Sequence, residues 1–417
     1  MNTDDILIVG VGMTPLGKHL DKSIKVLTEM ASTAALKDAG IEKSAVQAAW
    51  FSNTRQGALE GQHGIRGQVA LKAAGFESIP IFNTDSACAS SSSALMQAFM
   101  AIRSGVHEIV LIVGAEKMNY PDRRREMFEA FKGSWDRENS DSQMQAVLAM
   151  GDGMKVPSDV PAPQGEKSIF MDLYAAQARF HMKTFGTTQE QIAAVAAKNH
   201  WHSQFNEFAQ YRFSMTTQEV LADRIVSWPM TRSMCAPMSD GAGALVMCAQ
   251  SALPRFDVAR AVRVRGIGVS SSSNRSAEDY QHHLTSVAAQ RCYRMAGLGP
   301  EDVSVAEVHD ASAIAEIIQS ENLGLCQFGE GGRLAADGTS RLGGRLPINV
   351  SGGLLSKGHP IAATGAIQIH DLVRQIRGEA GAGQVDGARI GLAENGGGFL
   401  GVEEAACVVT MVERYKN

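Results

Sequence analysis

No apolar run in this sequence approaches the ~20 residues that a bilayer-spanning helix requires, so no helical membrane span is expected. Positive charge is not in excess. The 39 Lys and Arg against 44 Asp and Glu leave a formal net charge of -5, without the basic footprint of a nucleic-acid-binding surface. Paired cysteines are also lacking. The six Cys are scattered without disulfide-framework or metal-ligand spacing. They read as reduced thiols of a cytoplasmic protein with no metal of its own. Met1-Asn2-Thr3-Asp4-Asp5 begins acidic and runs into a strand pattern, unlike a signal peptide. Tyr415-Lys416-Asn417 carries no targeting address.

What is present is the composition of a globular chain, 44% apolar and 20% charged, with 42 glycines that suit a turn-rich α/β enzyme. At 417 residues it exceeds one ordinary core. Short branched apolar runs alternate with longer helical patterns, which predicts α/β layering. Strands are expected at Ile6–Gly12, Ile109–Gly114 and Gly243–Cys248, and a helix over Ser23–Gly40. The order then recurs. Gly10 is echoed by Gly266 and Gly40 by Gly297, at offsets of 256 and 257. Arg389–Leu392 and Ala405–Val412 stand for the second and third strands. Two similar halves, 1–255 and 256–417, are therefore expected. A Met-, Arg-, Gln- and Pro-rich segment of about 119–210 has no counterpart and is expected to be a functional insertion. Helices are expected within it at Met171–Phe185 and Gln189–His202.

Four constellations carry chemistry. Asn83–Leu95 places Cys88 among Ser and Ala residues, between a strand pattern and a helix pattern. At a helix N-terminus the dipole stabilises a thiolate, so Cys88 reads either as a nucleophile or as a packed core thiol. His309-Asp310-Ala311-Ser312 sits at a strand-to-helix junction, as a cleft histidine or a helix cap. Asn349–Gly365 contains Ser351-Gly352-Gly353 and Lys357-Gly358-His359-Pro360, a glycine- and proline-fixed histidine suited to a general base or hydrogen-bond donor. Glu394-Asn395-Gly396-Gly397-Gly398 reads as a glycine hairpin that either presents N–H groups to an oxyanion or simply turns the chain.

Taken together, in order and over essentially the whole chain, these blocks resemble the thiolase superfamily. Gly324-Leu325-Cys326 and Gly329-Glu330-Gly331-Gly332, with the Gly-His-Pro block, are similar to the sterol-carrier-protein type. The resemblance implies a five-layer α-β-α-β-α fold, a homodimer and coenzyme A thioester substrates. It implies Cys88 as the acyl acceptor and His359 as its base. It implies one oxyanion hole from the N–H groups of Cys88 and Gly396, and a second from His309 with His359. The usual second cysteine is missing, because Ala311 follows His309-Asp310 and Glu394 opens the would-be Cys-x-Gly. Glu394, or His309, is therefore expected to handle the α-proton. Asn395, Gly397 and Ser351 complete the expected substrate site.

Arg123 and Arg124, in the run Arg123-Arg124-Arg125 of the insertion, are expected either at the coenzyme A entrance or as solvated charge. Met118, Met127, Phe128, Phe131, Met144, Met150 and Met154 suggest a bulky acyl pocket or core. The expected reaction is thiolysis, or reverse Claisen formation, of a bulky, aromatic or dicarboxylic 3-oxoacyl-CoA. The alternatives are aldolase-type cleavage of a β-hydroxyacyl-CoA and a non-catalytic acyl-CoA-binding subunit. Relatives lacking the second cysteine also imply a small OB-fold, zinc-ribbon partner subunit.

Overall fold

The computed structural model describes residues 5–158, 160–163 and 168–416. Residues 1–4 of the acidic start, Asp159 of the Pro-rich run and the terminal Asn417 lie outside the described residues. The main sheet has nine strands: β1 (Ile6–Met13), β2 (Ala48–Ser52), β3 (Ile81–Thr84), β4 (Ile109–Glu116), β5 (Gly241–Ala249), β6 (Val262–Ser271), β7 (Val305–Glu307), β8 (Ile390–Gly397) and β9 (Ala406–Arg414). Their order is β3-β2-β4-β5-β1-β6-β9-β8-β7. It reads alike from both ends, since a parallel bridge from Ile348 to Ala306 stands where β3 stands in the first half. Among the described residues the two half-sheets pair with each other only at Leu7–Arg263 and Ile8–Val262.

Most of these strands are apolar on both faces because both faces are covered. Ile6, Ile8, Val110, Ile112 and Leu245 pack inward, in a core shared with Val408 and Val412 of the second half. Between the half-sheets lie α2 (Ser90–Arg103) and α4 (Thr364–Arg377), which contact each other. The alternate residues Leu7, Val9, Leu111 and Val246 pack outward, in a core shared with residues of α1 (Ile24–Ala39). In the second half Val409 and Met411 meet Leu284 and Ala288 of α3 (Leu284–Ala296). The result is five layers, α-β-α-β-α, as the resemblance implied.

The glycine echo has a physical cause. A Cβ on Gly10 would lie 2.3 Å from the Ala35 carbonyl of α1, and one on Gly266 2.5 Å from the Cys292 carbonyl of α3. Each outer helix therefore rests directly on a strand backbone. The predicted helix over Ser23–Gly40 has Ser23 accepting the Val26 N–H and Gly40 closing the end at φ +70°.

The insertion is longer than expected. It fills the whole β4–β5 connection, residues 117–240, whereas β8 and β9 are joined by residues 398–405 alone. It contains helices Phe170–Phe185 and Gln189–Ser203, close to the expected bounds, and ends in a small hairpin of Ile225–Ser227 with Met230–Thr231. The glycine run differs from the expected hairpin. Glu394–Gly397 belong to β8, paired with Val409–Ala406, and the turn follows them. Among the described residues no helix is long and apolar enough to cross a membrane.

Gly10→Ala and Gly266→Ala should each lower stability by about 1–3 kcal/mol, because the added methyl overpacks a helix–strand contact. Urea unfolding of the two variants measures this, and an unchanged midpoint would contradict the packing.

Candidate active site

The site lies beyond the carboxyl ends of the parallel strands, where α/β sheets place ligands. β3 leads to Cys88, β7 to His309 and β8 to the glycines, while the loop before α4 carries His359. Cys88 and His359 thus occupy equivalent loops of the two halves, each just before a central helix. Sγ of Cys88 and one ring nitrogen of each histidine lie within 4.8 Å of one another. The imidazoles of His309 and His359 are perpendicular, with ring centres 5.1 Å apart. One thiol and two imidazoles also have the donor chemistry of a zinc site.

Local backbone chemistry sets this geometry. Ala87 is forced to φ +50°, a costly conformation for a residue with a Cβ, and turns the chain so that Cys88 enters the cleft. The serine run is a set of buried clasps. Ser90 Oγ donates to the Ala87 carbonyl, Ser91 Oγ accepts the Ala366 N–H of α4, and Ser92 Oγ donates to Asn395 Oδ1 at 2.9 Å. Asn395 Nδ2 then donates to His309 Nδ1 at 3.0 Å.

Hydrogen-bond partners bear on the tautomer of each histidine. Because His309 Nδ1 accepts from Asn395, its proton resides on Nε2, which makes it a hydrogen-bond donor. His359 Nδ1 lies 2.8 Å from Thr364 Oγ1, which also reaches the Pro360 carbonyl at 3.3 Å. With the hydroxyl hydrogen on that carbonyl, His359 donates through Nδ1 and its Nε2 is an acceptor. Burial holds both rings neutral, taking His309 down to about 4 and His359 well below the usual histidine range, the latter reinforced by His309 and Arg55. Burial also pushes the Cys88 thiol up to about 12, against the pull of the Arg55 guanidinium and the Gly398 N–H. The thiolate expected from a helix dipole is thus outweighed by desolvation. The helix itself begins two residues on, at Ser90.

Other expected residues lie behind this surface. Glu394 Oε2 accepts the His309 backbone N–H at 2.9 Å, and Oε1 lies 3.5 Å from Cys407 Sγ. Glu394 does not line the cavity that contains Cys88. Ser351 is buried under the His359 loop, donating to Glu307 at 2.6 Å and accepting from Lys357 Nζ at 2.8 Å. Lys357 Nζ in turn meets Asp371 at 2.5 Å. Asp310 accepts the Leu354 N–H at 2.7 Å and an amide hydrogen of Asn199 at 2.8 Å, which anchors the same loop.

A cavity of about 260 Å³ opens over Cys88, His309, His359, Gly396 and Gly397. Met118, Phe128, Phe131, Phe170 and Tyr174 form apolar wall. Arg55, Arg224, Arg232 and Glu404 also line it, and no pattern in the sequence singled these out. A wider cleft of about 650 Å³ shares the 235–238 wall with this cavity and is lined by Lys18, Arg124, Arg224 and Arg232. Met127 lines this cleft, whereas Met144 and Met150 lie at other surfaces. Arg123 lines neither space and donates to the Leu59 carbonyl at 2.6 Å.

With the geometry in view, the family models described as "Thiolase, N-terminal domain" and "Thiolase C-terminal domain-like" match residues 6–216 and 266–410. The chain belongs to the thiolase family. It is 34% identical to an acetyl-CoA acetyltransferase of Methanothermobacter thermautotrophicus, covering 95% of this chain and 97% of that one. Rabbit (Oryctolagus cuniculus) sterol carrier protein 2 is 33% identical, covering 97% and 71%. The benzoylsuccinyl-CoA thiolase subunit BbsB of Thauera aromatica is 32% identical, covering 91% of each. The solved Ltp2-ChsH2(DUF35) aldolase has the same fold, with TM-score 0.75, 23% identity and 97% of each chain covered. The chain is an acyltransferase of the thiolase type.

In the free thiolase, iodoacetamide labelling of Cys88 should keep accelerating as pH rises through 9, because the thiolate fraction grows toward a pKa far above that of an ordinary thiol. Mass spectrometry of the Cys88 peptide across a pH series tests this, and a plateau near 8.5 would contradict it.

Proposed function

We propose that this thiolase cleaves a bulky, aromatic or dicarboxylic 3-oxoacyl-CoA by thiolysis, or forms it in reverse, through a Cys88 acyl-enzyme. The observation carrying this reading is one thiol whose sulfur lies within 4.8 Å of a nitrogen of each of two imidazoles. His309 Nδ1 accepts from Asn395 so that its Nε2–H donates, and His359 serves as acceptor through Nε2 when its Nδ1 donates to Thr364. Cys88 passes its proton to His359 as its sulfur attacks the C3 carbonyl. The N–H groups of Cys88 and Gly396 receive the C3 oxyanion. The His309 donor receives the thioester oxygen as the C2–C3 bond breaks and an enolate forms. Glu394, through the backbone of His309, and Asn395, through its ring, position that donor.

The acyl preference follows from the walls. Aromatic side chains beside Arg55, Arg224 and Arg232 suit a flat apolar body bearing a carboxylate, and the Thauera relative is named for benzoylsuccinyl-CoA. Coenzyme A would lie in the outer cleft, its phosphates near Lys18 and Arg124. The halves 1–255 and 256–417 contribute the nucleophile and the base respectively. The unpaired edge of β3, with exposed Phe82, supports a homodimer across that edge. A small OB-fold, zinc-ribbon subunit as a further partner is supported by one relative being named a subunit and by the structural neighbour being an aldolase named with a DUF35 component. That aldolase likeness also favours the aldol-type alternative, but such a cleavage leaves the Cys88–His359 pair without a covalent role.

Incubation with a panel of acyl-CoAs and intact-mass analysis should show one acyl group on wild-type protein and none on Cys88→Ala. His359→Ala should slow acylation by about 100-fold or more. An aromatic or dicarboxylic 3-oxoacyl-CoA should exceed acetoacetyl-CoA in kcat/KM by about tenfold or more. No adduct with any acyl-CoA would remove the reading.

A further inference from the structure

Thiolysis leaves a carbanion equivalent at C2 that must be protonated, and Cys88, His309 and His359 are already committed. His359 holds the proton of Cys88. Asn395 fixes His309 as a donor to oxygen. Glu394, the sequence-based candidate, spends one carboxylate oxygen on the His309 backbone and lies outside the cavity lining.

Glu404 is the only carboxylate among the described residues lining the cavity over Cys88. It follows the turn after β8 and folds back onto that strand. A Cβ added to Gly396 would sit 2.9 Å from Glu404 Cγ and 3.3 Å from its Cδ, so the absence of a side chain at 396 admits the carboxyl beside the catalytic groups. Oε1 accepts an amide hydrogen of Gln319 at 2.9 Å, which fixes the carboxyl plane. Oε2 is buried without a hydrogen-bond partner, and Nε2 of the buried His283 approaches it to 3.3 Å. From this placement we propose that Glu404 is the acid/base for C2, taking over the task of the missing second cysteine. The proposal rests on the thiolase reading and deepens it.

Protons balance over the cycle. Cys88 adds to C3 and the C2–C3 electron pair passes into the enolate. Protonated Glu404 then delivers its proton to C2, releasing the C1–C2 fragment as its CoA thioester (acetyl-CoA where C2 is unsubstituted), leaving the shortened acyl group on Cys88 and Glu404 as a carboxylate. The incoming coenzyme A thiol gives its proton to that carboxylate as its sulfur attacks the acyl-Cys88 thioester. Cys88 departs and recovers its proton from His359. In the synthetic direction the Glu404 carboxylate removes the C2 proton instead. The environment suits both forms near neutrality. Burial, with the Glu403 carboxylate adding to it and Arg275 opposing, brings Glu404 to about 7.

The test compares wild type, Glu404→Gln and Glu404→Asp for thiolysis, for deuterium exchange at C2 of acetyl-CoA in D2O, and for iodoacetamide alkylation of Cys88. Glu404→Gln keeps the shape and the Gln319 contact. It should lose thiolysis and exchange by about 100-fold or more while Cys88 alkylates within about threefold of wild type. Glu404→Asp should restore part of the exchange. Exchange retained in Glu404→Gln within about tenfold would overturn the proposal. So would a parallel loss of alkylation, which would mark a structural role. If wild type acylates Cys88 and only the exchange result fails, the thiolase reading stands without Glu404. If wild type never acylates, both fall.

Discussion

The contact between the two central helices is the constraint from which the rest of the molecule follows. α2 and α4 are buried between half-sheets, so their N-terminal N–H groups have no water to bond and must be met by protein. The Ser91 hydroxyl does this across the interface for Ala366. Gly365 makes the approach possible, since a Cβ there would fall 1.9 Å from Ser92 Oγ. Loops that lead into two abutting helix starts cannot be far apart. The meeting of Cys88 and His359 is a consequence of helix packing rather than of any attraction between them.

Water exclusion then decides the electrostatics. The half-buried thiol and the buried imidazoles are desolvated enough to favour their neutral forms, so charge develops when substrate is present to be attacked. The loop bearing His359 is held from beneath by Lys357, Asp371, Glu307 and Ser351. Such a buried ionic cluster contributes little net stability, because desolvation offsets the attraction, yet removing one member leaves another charge stranded. Its effect here is positional. It keeps a glycine-rich loop in one conformation, and the base in one place.

Much of this was legible in the chain because it is local or repeated. The α/β layering and the duplicated order followed from the apolar runs and echoed glycines, the five layers were implied by the resemblance, and the glycine echo proved to be one helix-on-strand contact built twice. Cys88, His309 and His359 stood out because small residues, glycine and proline around them are needed for tight turns. Glu404 and Arg55 were silent for the opposite reason. Each occupies an ordinary local context, and its meaning comes from a neighbour distant in sequence: Gly396 and Gln319 for one, the Cys88 cavity for the other. In the same way, the position of Glu394 in the glycine motif does not reveal that its carboxylate meets the His309 backbone.

The sequence by itself determined the α/β class, the duplicated order, the nucleophile candidate and the histidine loops, because periodicity and turn chemistry act over a few residues. Only the tertiary structure decided which nitrogen of His309 donates, which carboxylate lines the cavity over Cys88, and how far burial raises the Cys88 thiol. Those properties depend on burial and on partners that the fold brings together, such as Asn395 for His309 and Gln319 for Glu404.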